Sequence, residues 1–333
     1  MILISFGTRP EWIKIKPVVD ELHSKIPYKL LFTGQHLDLL SKIDTQAELV
    51  RLKVENGENR LDSIVGSVMN QDTIFEGVTA VLVQGDTTSA FAIALAAFHR
   101  KIKVIHLEAG LRTYDKQQPY PEEFNRQAIS RIADIHLCPT KLCASFLICE
   151  KTQGRIEVVG NTVLDNLRDV KAKEGNKIVV TMHRRENHHN LDEWFRKIDE
   201  LAEKNKNLEF IIPLHPNPNV QKHKNVFKHV KVVDPMEYNE FIKLLAECKF
   251  AITDSGGLQE ETSFLGKKCI VCRKKTERQE GVGEFAVMCM APDDLERLFE
   301  DVNNNHAPTG KCPYGDGYAA TKVYQILKDE VKI

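Results

Sequence analysis

Short runs of aliphatic and β-branched residues alternate with helix-period segments from one end of the chain to the other, and the apolar runs tend to give way to a loop or a helix start. That alternation is the pattern of a parallel α/β protein, in which a helix covers each crossover between neighbouring strands. The predicted strands are ILISFG, KLLFTG, VTAVLVQGD, KVIHLEA, IHLCPT and RIEVVG in the first half, then KIVVTMH, LEFIIPLH, VKVVDP, FAITDSG and KCIVC in the second. The halves are alike in architecture, although no sequence repeat relates them. After Gly160 the segment NTVLDNLRDVKAKEGNK spaces Val163, Leu164 and Leu167 like one helix face, then turns highly charged and ends at Gly175. It predicts a helix leading into a second domain, with a hinge near residues 161–175. The final segment, GYAATKVYQILKDEVK, predicts a helix with Val323, Ile326 and Leu327 on one side.

A chain of 333 residues fits two such domains. With 42% hydrophobic and 28% charged residues it has an ordinary globular composition. The 46 basic and 47 acidic side chains leave a formal charge of -1, so no global field recruits nucleic acid or an anionic membrane, and any anion must be bound locally. The opening MILISFGTRP lacks a basic stretch and its apolar run is too short for a signal peptide, while no later stretch approaches a membrane span. A cytoplasmic location follows as the expectation. Most of the eight cysteines lie inside apolar segments, as in LICE at 147–150 and CIVC at 269–272. Cys269 and Cys272 have no second ligand pair at usable spacing, so reduced core thiols are expected in place of a metal site.

Charged residues gather where predicted strands end: FGTRPEWIK at 6–14, QGDTTS at 84–89 and HLEAGLRT at 106–113, with PEEFNR following at 121–126. Because the carboxyl ends of strands in an open parallel sheet share one crevice, Arg9, Lys14, Asp86, Glu108 and Glu122 are expected to converge. Carboxylates beside an arginine and a lysine suit proton transfer on an anionic substrate, since opposed charges and burial separate their proton affinities. Each residue also has a plainer reading. Asp86 fits an N-cap to TTSAFAIALAAF, and Glu122 falls at a helix start where acids are favoured in any case. Arg9 and Lys14 oppose the macrodipole at a helix start, which points to a ligand, and Glu108 has the weakest structural excuse.

In the second half, SerGlyGlyLeuGlnGluGlu at 255–261 follows a strand and opens a helix, so the backbone N–H groups at Ser255, Gly256 and Gly257 form a phosphate cradle unless this is simply a turn capped by Asp or Ser. Glu260 or Glu261, one turn on, is placed to accept from ribose hydroxyls. His183 follows KIVVTM and precedes Arg184 and Arg185, a position from which it meets a diphosphate or merely braces a loop. His188 and His189 read as solvent-facing, and His215 begins a loop stiffened by Pro216 and Pro218. Phe241, in YNEFIKLLAEC, reads as core or as a ligand-stacking ring.

Together with TMHRREN at 181–187, PLHPNPNV at 213–220, TDSGGLQEE at 253–261 and PYGDG at 313–317, these motifs resemble the non-hydrolysing UDP-N-acetylglucosamine 2-epimerase family, in the family's order and from Ser5 to about Gly317. The resemblance implies a GT-B fold, two Rossmann-like doubly wound parallel-sheet domains with an interdomain cleft. Residues 1–165 would form the domain carrying the carboxylates, with helix 317–333 packing back onto it, and residues 166–316 the UDP-binding domain. It implies a homodimer, a nucleotide-sugar ligand, and neither cofactor nor metal. It puts His183 at the substrate, Glu261 on the ribose and, by analogy, Phe241 on the uracil. Relatives are activated by a second UDP-GlcNAc through a glutamine and histidine like Gln35 and His36 and through an arginine whose place is taken here by Ser67. The segment TERQEG at 276–281 lacks the family's proline after the arginine.

The chemistry so implied is reversible inversion at C2 of UDP-GlcNAc to UDP-ManNAc through loss of UDP, a bound 2-acetamidoglucal and re-addition. Asp86, Glu108 and Glu122 would transfer protons with Lys14 tuning them, while Arg9, His183 and the SerGlyGly loop retain UDP. Epimerases of 2,3-diacetamido uronic acid sugars, a hydrolysing epimerase, a GT-B glycosyltransferase and a non-catalytic nucleotide-sugar sensor are the alternatives.

Overall fold

The computed structural model describes residues 1–35, 43, 45, 47–55 and 57–330. They form two compact units, one of residues 1–166 and 315–333 and one of residues 167–314. In the first unit the strands are β1 (Ile2–Phe6), β2 (Tyr28–Phe32), β3 (Leu49–Arg51), β4 (Ala80–Gln84), β5 (Lys103–Leu107), β6 (Ile135–Cys138) and β7 (Arg155–Val158). They pair in the order β3-β2-β1-β4-β5-β6-β7, and all the pairings are parallel. The helices between them are α1 (Arg9–Leu22), α2 (Arg60–Asn70), α3 (Thr88–His99), α4 (Glu122–Ser130) and α5 (Lys141–Cys149).

Side-chain alternation along the strands divides the core. Ile2, Ile4 and Phe6 of β1 pack with Trp12, Ile15 and Val19 of α1. The intervening Leu3 faces the other way and packs with Ile64 and Val68 of α2 and Ile93 and Ala97 of α3. Both faces of the sheet are therefore covered, and fully burying each such aliphatic or aromatic side chain contributes about 1.5–3 kcal/mol.

The second unit repeats the plan with β8 (Lys177–Thr181), β9 (Glu209–Pro213), β10 (Lys231–Val233), β11 (Cys248–Thr253), β12 (Cys269–Val271) and β13 (Ala286–Met288), in the order β10-β9-β8-β11-β12-β13. Its helices are α6 (Leu191–Lys204), α7 (Pro218–Gln221), α8 (Tyr238–Ala246), α9 (Gly256–Phe264) and α10 (Leu295–Asn304). Ile178 and Val180 face Trp194, Phe195 and Ile198 of α6, while Val179 faces Ile242 and Leu245 of α8. The chain then returns to the first unit as α11 (Ala319–Glu330), whose Val323, Ile326 and Leu327 join the α1 side of the core. Among the described residues no helix is long and apolar enough to cross a membrane.

The alternating pattern thus specified two doubly wound parallel sheets, the units of a GT-B fold, with differences at the margins. Strands β3 and β13 were not anticipated, and each sits at a sheet edge. The helix expected after Gly160 is only a 3-10 turn over Thr162–Leu167. Beyond it no apolar face continues, and the backbone pairs elsewhere, with Lys173 N donating to Ala246 O at 2.9 Å. All eight cysteines are free, but Cys149 of LICE is exposed at the end of α5 instead of buried.

Candidate functional site

Strands β1 and β4 are neighbours whose following connections diverge, α1 leading to β2 and α3 to β5, so the loops after them open a crevice at the carboxyl end of the sheet. One buried acid fastens both loops. Glu11 Oε2 accepts from Gly7 N at 3.0 Å, Thr8 N at 2.8 Å and Thr8 Oγ1 at 2.8 Å, and its Oε1 accepts from Thr87 Oγ1 at 2.7 Å. The Thr8 N contact, with Glu11 N donating back to Thr8 Oγ1 at 3.4 Å, completes a capping box on α1. Burial pushes the Glu11 pKa up, and the hydrogen bonds pull it down.

With those loops fixed, Lys14 reaches from the second turn of α1 to Glu108, Nζ to Oε1, at 2.5 Å. Glu108 follows β5 with a φ of +64°, a left-handed conformation that costs a non-glycine residue energy and is kept where the surroundings impose it. Gln84 Nε2 donates to its Oε2 at 2.5 Å and Asn161 Nδ2 to its Oε1 at 3.0 Å. The neighbouring turn is held from beneath by His106, whose Nε2 lies 2.7 Å from Gly85 O. A carbonyl only accepts, so Nε2 carries the proton, and burial lowers the His106 pKa to about 3.

Asp86 does not cap α3. Thr87 does, its hydroxyl accepting from Ala90 N, while the Asp86 carboxylate forms a tight ion pair with Arg126 and its carbonyl accepts from Asn125 Nδ2 at 2.9 Å. Glu122 begins α4, half-buried. The adjacent Glu123 is fully buried and accepts from Thr113 N at 3.1 Å and Tyr114 N at 2.9 Å, tying the loop after β5 to α4. Arg112 anchors the same loop to α5 by a two-point contact with Glu150, at 2.7 and 2.9 Å. Arg9 is the first residue of α1 and is half-buried. Gln35 Oε1 accepts from Ser89 Oγ at 2.9 Å. Ser67 is buried in α2 and accepts from Glu55 N at 3.1 Å, and His36 lies outside the described residues.

In the second unit the corresponding divergence is between β8 and β11. Asp254, fully buried after β11, accepts from His183 N at 3.0 and 3.1 Å, from Arg184 N at 2.9 Å and from Asn187 Nδ2 at 3.1 Å. The His183 ring stacks on that of His215, centroids 4.9 Å apart, and burial pushes the His183 pKa down while Asp254 pulls it up. Contrary to the sequence reading, His188 is not solvent-facing: it is half-buried with Nε2 3.2 Å from His183 O, whereas His189 is exposed.

Ser255 stands at the N-cap of α9 but its side chain makes no capping bond. The glycines differ in purpose. A Cβ on Gly256 would lie 2.6 Å from Arg278 Nη1, while one on Gly257 would meet nothing within 4 Å. Glu260 is buried against Arg278 Nε at 2.9 Å, and Glu261 accepts from Tyr238 OH at 2.8 Å. Phe241 is half-buried and packs on the core between α8 and the sheet. Glu11, Arg126 and Asn161 escaped the sequence reading, which took Asp254 only as a cap of the turn before α9. Only Glu11 carried a local signal, the Thr8-x-x-Glu11 box.

A sequence profile of the UDP-N-acetylglucosamine 2-epimerase family matches residues 20–328. A UDP-N-acetylglucosamine 2-epimerase from Campylobacter jejuni is 36% identical, over 98% of this chain and 97% of the relative. The crystal structure of UDP-GlcNAc 2-epimerase from Neisseria meningitidis bound to UDP-GlcNAc superposes with a TM-score of 0.88 at 32% identity, covering 98% of this chain and 99% of the other. That of the Methanocaldococcus jannaschii enzyme in complex with UDP-GlcNAc and UDP gives 0.80 at 28% identity, covering 98% and 99%.

Proposed function

From the premise that the chain belongs to the UDP-N-acetylglucosamine 2-epimerase family, we propose that it interconverts UDP-GlcNAc and UDP-ManNAc without net hydrolysis. The observation that carries this reading is the Glu108 carboxylate, held in a left-handed conformation and hydrogen-bonded by Lys14, Gln84 and Asn161 at the end of a sheet. A carboxylate so fixed suits transfer of a proton at a defined carbon better than it suits folding.

The C2 proton of the sugar is not acidic, so abstraction needs electronic help. As the C1–O bond breaks, its electron pair leaves with UDP and C1 becomes electron-poor. A carboxylate takes the C2 proton, and the C2–H electrons form the double bond of 2-acetamidoglucal. Re-addition of UDP at C1 with a proton delivered to the opposite face of C2 gives the epimer, so no redox step is involved. Asp86, Glu108 and Glu122 are the proton-transfer groups and Lys14 stabilises the ionised state. Arg9, His183, His215, Ser255 and the N–H groups at Gly256 and Gly257 retain UDP, the Ser255 N–H itself donating to Thr253 Oγ1 at 2.9 Å, with Glu261 on the ribose and Phe241 on the base. The enzyme acts in the cytoplasm, as a homodimer like that implied by the family resemblance.

Incubation with UDP-GlcNAc in deuterated water tests the reading. Deuterium at C2 of both epimers, with no accumulation of free sugar, is the expected outcome. Free ManNAc would assign a hydrolysing enzyme, and no exchange would remove the epimerase reading.

A further inference from the structure

We propose that Asn161 is a positioning residue for Glu108, tying the aim of that carboxylate to the course of the chain as it leaves the first unit. The inference deepens the epimerase reading and rests on it. Asn161 is buried, and both ends of its amide are engaged. Its Oδ1 accepts from Val163 N at 3.2 Å, setting the first turn of the Thr162–Leu167 3-10 helix. Its Nδ2 donates to Glu108 Oε1 at 3.0 Å, across 53 positions of sequence. An amide is planar and rigid, so any turn of the exit segment swings the donor relative to the carboxylate.

The returning chain packs at the same spot. A Cβ on Gly315 would lie 3.2 Å from Gly160 Cα and 3.4 Å from Asn161 N. Asp165 completes the junction by accepting from Ala319 N at 3.1 Å and Ala320 N at 2.9 Å, which satisfies the start of α11. Outgoing and incoming segments of the first unit therefore form one packed junction, and Asn161 carries its geometry to Glu108.

The other groups facing Glu108 do different work. Lys14, from α1, supplies charge. Gln84, from β4, occupies the other oxygen. His106, on β5, is kept neutral by burial. Lys14 and Asn161 share Oε1, and two donors converging on one oxygen fix the carboxylate torsion as one flexible lysine cannot. Aim matters because a misplacement of about 1 Å costs on the order of 100-fold in rate.

The test compares Asn161→Ser and Asn161→Asp with wild type. Each variant keeps an oxygen that accepts from Val163 N, so the turn survives, and each removes the Nδ2 amide donor that reaches Glu108, the serine hydroxyl standing on a side chain one atom shorter. The readouts are C2 deuterium exchange against pH, KM, UDP affinity by calorimetry, and thermal stability. Asn161→Ser should lower kcat by about tenfold, the scale of one hydrogen bond to a charged group, with KM and UDP affinity unchanged. The acidic limb of the rate profile should move to higher pH in both variants, further in Asn161→Asp, whose added negative charge faces Glu108. An unmoved acidic limb, with kcat falling only as stability falls, would overturn the proposal while wild-type exchange left the epimerase reading intact. Absence of exchange in the wild type itself would sink both.

Discussion

The imidazoles of His183 and His215 lie nearly parallel, 15° apart, at the mouth of the loops after β8 and β9. Two stacked cations would repel, and burial already holds His183 below its ordinary value. At pH 6.5 the free protein therefore carries His183 neutral. A diphosphate beside the ring favours the imidazolium, so UDP binding should take up as much as about one proton, and UDP affinity should strengthen as pH falls from about 7 towards 5.5. Calorimetric titration in two buffers of different ionisation enthalpy measures this. Identical heats would show that His183 is not protonated when UDP binds.

A second pH effect belongs to the fold. His106 is buried with a pKa lowered to about 3, and burial lowers His136 on the next strand as well. His106 is neutral in the native first unit and takes up a proton on unfolding below about pH 6.5, and the lowered His136 pKa acts in the same direction. Their stabilising contribution is complete above that value and is lost as pH falls, by up to about 1.4 kcal/mol per pH unit for each histidine. The urea midpoint should drop between pH 7 and pH 5, and His106→Gln should flatten that dependence while lowering the midpoint at pH 7. An equally steep slope in the variant would assign the acid lability elsewhere.

Removing the carboxylates should affect turnover far more than affinity. Asp86→Asn, Glu108→Gln and Glu122→Gln should each lose on the order of 100-fold or more in C2 exchange rate, the range for general acid/base groups. UDP affinity by calorimetry should hardly change, because these groups act on the reacting carbon and UDP is held elsewhere. Near-normal exchange in all of them would take proton transfer away from this cluster.

The loop carrying Glu108 also admits a steric test. Gly110 has a φ of +90°, and a Cβ there would lie 2.4 Å from the backbone carbonyl oxygen of Cys143. Neither strain nor clash is relieved by moving a flexible side chain, so Gly110→Ala should destabilise the protein by about 3 kcal/mol or more. A denaturation midpoint within error of wild type would show that the loop re-routes freely.

How much of this was legible depended on range in sequence. Most strands, down to the three-residue β10 and β12, announced themselves because β-branched runs bounded by turns are a local signal, and the charges at their ends were found by knowing where such strands end. The edges β3 and β13 were missed, and each is set by parallel pairing with its one neighbour, β2 or β12. The Lys14–Glu108 approach, spanning 94 positions, was inferred from topology. The backbone strain at Glu108 and the Asn161 amide were hidden, since nothing near either residue in sequence requires them. The plainer reading of Asp86 as a cap fails, since Asp and Thr are both good caps in adjacent positions and Asp86 turns instead to Arg126, 40 residues away.

Asp254 grips the main chain of residues 183 and 184 at 2.9–3.1 Å, while its approach to the His183 ring is longer, 3.8 Å to Nδ1. The path of that loop is thus written by an acid some seventy positions downstream and by two N–H groups that almost any residue would supply. The side chains borne at 183 and 184 are consequently free to diverge between relatives without rerouting the loop. A change of ligand preference can begin there by exchange of residues alone, with the scaffold beneath inherited intact.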